Sequence, residues 1–305
     1  MAANILVVGS LNMDLLIRVN ELPKKGETLL GGPITEIPGG KGANQAVAIS
    51  KMNTSVGILG SIGKDSYGNA LLKSLEDHKV GTRYISRSDN KTGTAIVIVD
   101  EKGSNQIVVS PGANLDLTPE LVFKNKKAIE EADIVVMQLE IPLETVHFTL
   151  ELAKKMDKIT ILNPAPAIKL SEDILKNVDI LIPNEHELKL LSNNWIEGAF
   201  NDPIKASCEE LLEKKVKTII VTLGEKGCFL MNGMDEQTFP AYKVDAVDTT
   251  GAGECFIGGF TSTYLKTMDL HDSIQSAIKA SAISVTRSGA QNAMPTQKEV
   301  ETFLC

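Results

Sequence analysis

The chain has few aromatic residues, few cysteines and no long apolar run. Aromatic side chains make up 4% of the 305 residues, and the four cysteines lie too far apart for a paired zinc or redox motif. No uncharged stretch reaches the roughly 18 apolar residues that a membrane helix needs. No basic residue precedes the first apolar run, as one does in a secretory signal. We therefore expect a cytoplasmic protein with free thiols and no membrane partner.

Positive charge is also scarce. The 31 basic residues stand against 39 acidic ones, which gives a formal net charge of -8. This balance disfavours binding to nucleic acid. The hydrophobic content of 43% is ordinary for a globular protein and excludes a disordered chain. The length allows one large or two small domains, and because no linker or repeat interrupts the chain we expect a single domain over residues 1–305.

Short β-branched apolar runs alternate with segments of helical spacing through most of the chain. The apolar runs cover residues 4–9, 55–60, 133–138, 158–163, 178–182 and 218–223. Helical spacing occurs over residues 44–52, 66–77, 119–131, 143–155 and 203–215, and again over 251–266, 271–286 and 296–304. The alternation predicts an α/β fold with a doubly wound, mostly parallel sheet flanked by helices.

Two stretches interrupt this alternation. Residues 13–37 are typical of strand, turn and strand, with strands over 15–19 and 27–37. Residues 93–109 are typical of a hairpin around a turn at 100–103. These four strands predict a small sheet that stands off the main one. Its open edges must cover a site or pair with another chain.

Three small residues stand at the start of the helix predicted after residue 250. Backbone N–H groups at Gly251, Ala252 and Gly253 can approach an oxyanion closely, and the helix dipole adds positive charge there. Glu254 follows and can deprotonate an attacking hydroxyl. A glycine-rich helix cap with an acidic first turn explains the spacing equally well.

A glycine cluster at residues 38–46 also runs into a predicted helix. It is not a Walker A loop, whose pattern is G-x-x-x-x-G-K-[ST]. Gly39 and Gly40 allow close approach to a small ligand, Lys41 supplies a charge, and Asn44 supplies a donor and an acceptor for hydroxyl groups. A simple strand-to-helix turn explains the glycines but not the embedded Lys and Asn, so we favour a binding role.

Polar side chains follow several of the predicted strands. Asn12 and Asp14 come after the first strand and face the same way on an extended segment, although both residues are also common turn formers. Asn184 and Glu187 could hold a hydrated Mg²⁺ or form a helix cap. Because the carboxyl ends of parallel strands meet at one edge of the sheet, this pattern predicts a cleft there.

Taken together, these segments resemble the ribokinase-like family of carbohydrate and nucleoside kinases. Both family signatures occur in order, around residues 39–44 and 248–253, together with Asn-Pro-Ala-Pro at 163–166 and Asn-Glu-His-Glu at 184–187. The resemblance covers nearly the whole chain. It implies phosphoryl transfer from ATP with Mg²⁺ to a sugar, a lid built from about 13–37 and 93–109, and a homodimer joined through that lid.

The resemblance also implies a role for each matching residue. The sugar would be bound by Asn12, Asp14, Gly39, Gly40, Lys41, Asn44 and Glu140. ATP would lie near Asn184, Thr222 and Gly224, with Glu187 acting on Mg²⁺ through water, and Gly251, Ala252 and Gly253 would form the anion hole. A monovalent cation, commonly K⁺, would lie at Asp248, Thr250, Ser284, Arg287 and Gly289. Ala293 stands where some relatives have Ser, which implies one ligand fewer.

Glu254 departs from the family, whose catalytic base is Asp. The added methylene can move the carboxylate by about 1 Å, and a misplacement of that size can cost roughly 100-fold in rate. Three explanations stay open: a natural variant whose cleft accommodates Glu, an impaired mutant, or a relative that binds sugar and nucleotide without turnover. We favour intact ligand geometry with reduced turnover, because the remaining motif residues are present.

The expected acceptor is the 5-hydroxyl of D-ribose, with deoxyribose, fructose and a nucleoside as alternatives. A nicotinamide-dependent oxidoreductase is disfavoured. The first strand ends in Gly-Ser-Leu-Asn at residues 9–12, which lacks the G-x-G-x-x-G pattern of dinucleotide sites.

Overall fold

The computed structural model describes residues 4–195 and 202–303. The strands are β1 Ile5–Val8, β2 Asn12–Arg18, β3 Thr35–Gly39, β4 Val56–Gly63, β5 Gly81–Ser88, β6 Gly93–Val99, β7 Asn105–Ser110, β8 Ile134–Met137, β9 Ile159–Leu162, β10 Ile180–Leu181, β11 Thr218–Thr222, β12 Cys228–Asn232 and β13 Glu236–Phe239. The helices are α1 Lys41–Lys51, α2 Ser66–Asp77, α3 Pro119–Lys124, α4 Lys127–Glu131, α5 Leu143–Lys155, α6 Glu172–Leu175, α7 Glu185–Leu191, α8 Pro203–Glu213, α9 Ala252–Thr267, α10 Leu270–Val285 and α11 Gln297–Glu301. The predicted α/β class is confirmed.

The described residues form one large sheet with the order β13-β12-β11-β10-β9-β8-β1-β4-β5. Neighbouring strands from β11 to β5 in this order pair in parallel, and the antiparallel pairings are β11 with β12 and β12 with β13 at one edge. The chain builds outwards from β1 to β4 and β5 and then returns to the other side of β1 through β8. A crevice opens at such a switch point, outside the carboxyl ends of the strands.

Helices cover both faces of this sheet. Alternate residues of β1 enter opposite cores: Ile5 and Val7 pack on the side of α1, α2, α9 and α10, whereas Leu6 and Val8 pack on the side of α3, α5 and α8. Burying each such side chain stabilises the fold by about 1.5–3 kcal/mol. Burial on both faces explains why the central strands read as continuous apolar runs.

A separate small sheet has the order β3-β2-β6-β7, with β2 and β6 parallel and the other pairs antiparallel. The hairpin of β6 and β7 is confirmed. The strand predicted over residues 27–37 is wrong in extent, because only β3 pairs with β2. Gly31, Gly32 and Pro33 interrupt the preceding stretch, and proline cannot donate a ladder hydrogen bond.

Three further differences have local causes. The helix predicted over 119–131 is divided into α3 and α4 at Asn125, whose side-chain amide donates to the carbonyl of Leu121 at 2.9 Å. The strands β5 and β13 were not predicted, because they form the two sheet edges and carry mixed or polar sequences. The strand β12 is short and apolar and was missed as well. The helix predicted over 296–304 is the shorter α11, and residue 304 lies outside the described residues.

Cys208, Cys228 and Cys255 are free and buried, as expected, while Cys305 lies outside the described residues. Burial raises the pKa of these three thiols to about 12, so they stay protonated. Within the described part of the chain, no helix has the length and apolar character to cross a bilayer.

Candidate active site

The carboxylate of Glu140, just after β8, gathers donors from three parts of the chain. One oxygen, Oε2, accepts hydrogen bonds from the Ser10 hydroxyl at 2.6 Å, the Asn12 amide at 3.4 Å and the Lys41 backbone N–H at 3.3 Å. Its other oxygen, Oε1, accepts none among the described residues. The structure thus brings three predicted sugar-binding residues together at the switch point between β1 and β8, with an acceptor to spare.

Asp14 lies two residues after Asn12 on β2. Burial raises its pKa to about 7, and the negative charges of Glu140 and Glu254 add to the effect, while Lys41 opposes it. A carboxyl in such surroundings gains most from a ligand that donates hydrogen bonds. Gly39 makes room for it, because a Cβ at Gly39 would lie 2.3 Å from Asp14 Oδ2.

Gly40 sets the start of α1 directly against the start of β2. Its φ is +90°, and a Cβ there would lie 2.6 Å from the backbone nitrogen of Asn12. Only glycine combines this backbone conformation with so close an approach. As a result α1 begins at Lys41, three residues earlier than predicted, and Asn44 falls in its first turn.

The second glycine signature meets the first across the crevice. Gly251 adopts a left-handed φ of 76° and caps α9, which begins at Ala252. Open space adjoins Gly253, since nothing lies within 4 Å of a Cβ built there. Glu254 Oε1 lies 3.4 Å from Lys41 Nζ, although 213 residues separate them. Glu254 raises the pKa of Lys41, so the ammonium stays charged beside the carboxylate.

The nucleotide residues implied by the resemblance lie further along the same sheet edge. Asn184 and Thr222 pair as an isolated parallel bridge, and Gly224 opens a short 3₁₀ turn, Gly224–Lys226. The capping interpretation of Asn184 and Glu187 is confirmed, because each side chain accepts the other's backbone N–H, at 2.8 and 2.9 Å. Burial raises the pKa of Glu187.

Capping does not exclude a role near a metal. Each oxygen of Glu187 accepts one hydrogen bond, from the backbone or the side-chain amide of Asn184, and keeps a lone pair. No group of three or more His, Cys, Asp or Glu that could hold a metal exists among the described residues. The donor set therefore fits a hydrated Mg²⁺ that arrives with a nucleotide better than a resident ion.

The two segments implied for the monovalent cation lie side by side. Asp248 accepts the N–H groups of Thr250 and Gly289, each at 2.9 Å, through separate carboxylate oxygens. Its own N–H donates to Val285. Arg287 donates its backbone N–H to the carbonyl of Ser284. The arrangement brings the predicted cation residues together, with both carboxylate oxygens of Asp248 occupied by backbone N–H groups.

Sequence reasoning missed four polar residues that support this site: Ser10, Gln45, Asn114 and Gln291. Asn114, for example, accepts the N–H of Leu11 at 2.9 Å and donates to Asn12 Oδ1 at 2.8 Å. Each of the four is almost wholly buried. An amide or hydroxyl side chain among apolar neighbours in the sequence could have indicated these residues, because buried polar groups need hydrogen-bond partners.

Comparison with known proteins places the chain in a family. Residues 2–297 match the model of the pfkB family carbohydrate kinases. A ribokinase of Schizosaccharomyces pombe is 40% identical, with 98% of this chain and 96% of that protein covered. A deoxyribokinase of Salmonella typhi is 36% identical, with 99% and 98% covered.

A solved structure of Arabidopsis thaliana ribokinase, complexed with ribose and ATP, superposes with a TM-score of 0.91 at 30% identity and covers 99% of this chain and 98% of that one. The shared fold includes both sheets. With the family model spanning nearly every residue and curated kinases matching end to end, the chain belongs to the pfkB family of carbohydrate kinases and is an ATP-dependent sugar kinase.

Proposed function

We propose that the chain transfers the γ-phosphoryl group of ATP to the 5-hydroxyl of D-ribose. One observation carries the proposal: Asn12, Asp14 and Glu140 line a crevice in which Glu254 stands beside Lys41 at the start of α9. Several carboxylates and amides within one crevice suit a polyhydroxyl ligand. The relatives named as ribokinases support ribose. ATP as donor and buried free thiols favour a cytoplasmic location.

The residues of the crevice divide the chemistry among them. Asp14 and the free oxygen of Glu140 accept hydrogen bonds from sugar hydroxyls, and Glu254 takes the proton of the attacking hydroxyl. The backbone at Gly251 to Gly253 faces the transferred phosphoryl group, where the start of α9 stabilises its negative charge. Phosphoryl transfer depends mainly on such positioning and charge stabilisation.

Mg²⁺ bound with ATP would supply positive charge on the phosphate oxygens, and Asn184 and Glu187 are the residues that would hold it through water. Thr222 and Gly224 would border the phosphates. We assign the loops at Asp248 and at 284–289 to a monovalent cation such as K⁺. The small sheet closes over the sugar and excludes water, which would otherwise compete for the phosphoryl group.

An assay of ADP release tests the substrate. With Mg-ATP and K⁺, we expect kcat/KM for D-ribose to exceed that for 2-deoxyribose, fructose and adenosine by at least about 10-fold. The deoxy sugar would leave polar groups of the crevice unpaired, and fructose and adenosine carry their hydroxyls on a larger skeleton. Replacing K⁺ by tetramethylammonium should lower the rate. A nucleoside phosphorylated as efficiently as ribose would overturn the assignment.

The small sheet carries an apolar surface that supports a homodimer. All six residues of β7 are exposed, including Ile107, Val108 at 67% and Val109, and Ile96 of β6 is exposed beside them. An exposed edge strand with apolar side chains is a site for pairing. We propose that the same sheet of a second copy covers it.

Analytical ultracentrifugation tests the dimer. We expect the unaltered chain to sediment as a dimer at micromolar concentration and Val108→Glu to sediment as a monomer, because a buried unpaired charge is costly. Met234→Glu is the control, since Met234 is 97% exposed on the β12–β13 hairpin away from the small sheet. A monomeric unaltered chain would refute this interface.

A further inference from the structure

Gln291 lies in the segment between α10 and α11 and is only 5% exposed. Its amide nitrogen, Nε2, donates to Asn44 Oδ1 at 2.9 Å, although 247 residues separate the two. Its amide oxygen, Oε1, accepts the hydroxyl of Ser74 on α2 at 3.0 Å. Both ends of this side chain are therefore fixed, one of them on a residue of the proposed sugar site.

The backbone at Gln291 is held by the same helix that carries Asn44. Lys51, the last residue of α1, donates its ammonium to the carbonyls of Gln291 at 2.7 Å and Met294 at 2.9 Å. The first turn and the last residue of α1 thus both form hydrogen bonds with residues 291–294. Such a double attachment keeps the Gln291 amide at a constant position relative to Asn44.

The contact decides which atom of Asn44 is available to a ligand. With Oδ1 occupied by Gln291, the other amide atom, Nδ2, is left as a donor and has no partner among the described residues. The neighbouring carboxylates of Asp14, Glu140 and Glu254 are acceptors when ionised. A sugar hydroxyl that donates to a carboxylate can accept from Nδ2 at the same time, so a fixed donor complements these acceptors.

We propose that Gln291 is a positioning residue for sugar binding, which orients the Asn44 amide so that its nitrogen donates to a sugar hydroxyl. The inference rests on the proposed sugar site and adds a residue to it that lies far away in the chain. It requires that Gln291 act through Asn44 and not through the stability of the fold.

A double-mutant cycle tests this requirement. Gln291→Met keeps the length of the side chain and removes both hydrogen bonds, and we expect it to raise KM for D-ribose about 10-fold, the value of one good hydrogen bond. The kcat and the KM for ATP should stay within about twofold. Asn44→Ala should raise the same KM at least as much, and adding Gln291→Met to it should cost nothing further.

Two further variants serve as a second test and a control for the double-mutant cycle. Ser74→Ala removes one support of the Gln291 amide from a half-buried position and should raise the ribose KM by a smaller factor, again only when Asn44 is present. Gln275→Met, at an exposed position of α10, is the matched control and should change nothing.

The outcomes separate this inference from the proposed function. A KM that rises again when Gln291→Met is added to Asn44→Ala, or a Gln291→Met enzyme with an unchanged KM, would overturn the positioning role alone. An Asn44→Ala enzyme with an unchanged KM for ribose would overturn the sugar site itself and this inference with it.

Discussion

Replacing Glu254 by Gln is expected to lower the rate of sugar phosphorylation by roughly 1,000-fold, within the range for loss of a general base. The amide has nearly the same shape and can still accept a hydrogen bond from Lys41 through its oxygen, as the carboxylate does at 3.4 Å. It cannot take up the hydroxyl proton. Binding of D-ribose should therefore be almost unchanged while turnover falls steeply.

Two measurements on the same protein check this separation. ADP release gives kcat, and titration calorimetry gives the dissociation constant for D-ribose. Glu213→Gln is the matched control, because Glu213 is an exposed carboxylate at the end of α8. A Glu254→Gln enzyme that keeps most of its rate would show that another group accepts the proton.

Replacing Asp14 by Asn is expected to weaken sugar use and to stabilise the protein. In the crevice, an ionised carboxylate accepts hydroxyl hydrogen bonds more strongly than an amide oxygen does. We expect kcat/KM for D-ribose to fall by about 100-fold at about pH 8, the loss of a charge-assisted hydrogen bond. Asp77→Asn, an exposed carboxylate near the end of α2, is the control.

The gain in stability from Asp14→Asn should be larger at higher pH. Burial raises the pKa of Asp14 from 3.8 to about 7, so between these values the folded state keeps a proton that the unfolded state has lost. The free energy of unfolding of the unaltered chain therefore falls as pH rises through this window, and above the window the ionised carboxylate destabilises the fold to its full extent. Asn is uncharged like the protonated carboxyl, so the variant avoids this destabilisation.

Urea unfolding at about pH 5 and about pH 8 measures this difference. We expect Asp14→Asn to raise the free energy of unfolding by about 2 kcal/mol at the higher pH and by less at the lower one, after allowance for solvent screening. A variant that is less stable than the unaltered chain at about pH 8 would contradict the claim that the ionised Asp14 carboxylate destabilises the fold. Equal gains at both values would show that its titration is not the cause.

The sequence predicted the parts of the site whose signals are local. The glycines at 39–40 and 251–253 mark helix starts with unusual backbone angles, which the structure shows at Gly40 and Gly251. The apolar runs of the central strands follow from burial on both faces of the sheet. Asn12 and Asn184 could be placed at one edge because parallel strands end there.

The missing parts depend on contacts between distant residues. Lys41 and Glu254 meet because α1 and α9 pack on the same face of the sheet. Asn44 and Gln291 meet because the segment between α10 and α11 returns to α1. No local pattern encodes either contact. The edge strand β5 was missed for a related reason, since its polar residues are explained by its place at the sheet edge and not by their own periodicity.

The length of the side chain at position 254 determines where its carboxylate lies in the crevice. Its carboxylate extends across the crevice to Lys41, so the longer side chain is accommodated without losing the contact between the two signatures. An Asp at this position would draw the carboxylate back by about 1 Å, towards the backbone of Gly253, and a shift of that size can change a rate by roughly 100-fold.

The most direct test measures ADP release from Mg-ATP in K⁺ buffer, with and without D-ribose, for the unaltered chain and for Glu254→Asp side by side. We expect release that depends on ribose from the unaltered chain, and faster release from Glu254→Asp. An unaltered chain that releases no ADP in response to ribose, while its Glu254→Asp variant is equally silent, would contradict the account of a ribose-phosphorylating crevice with Glu254 as its base.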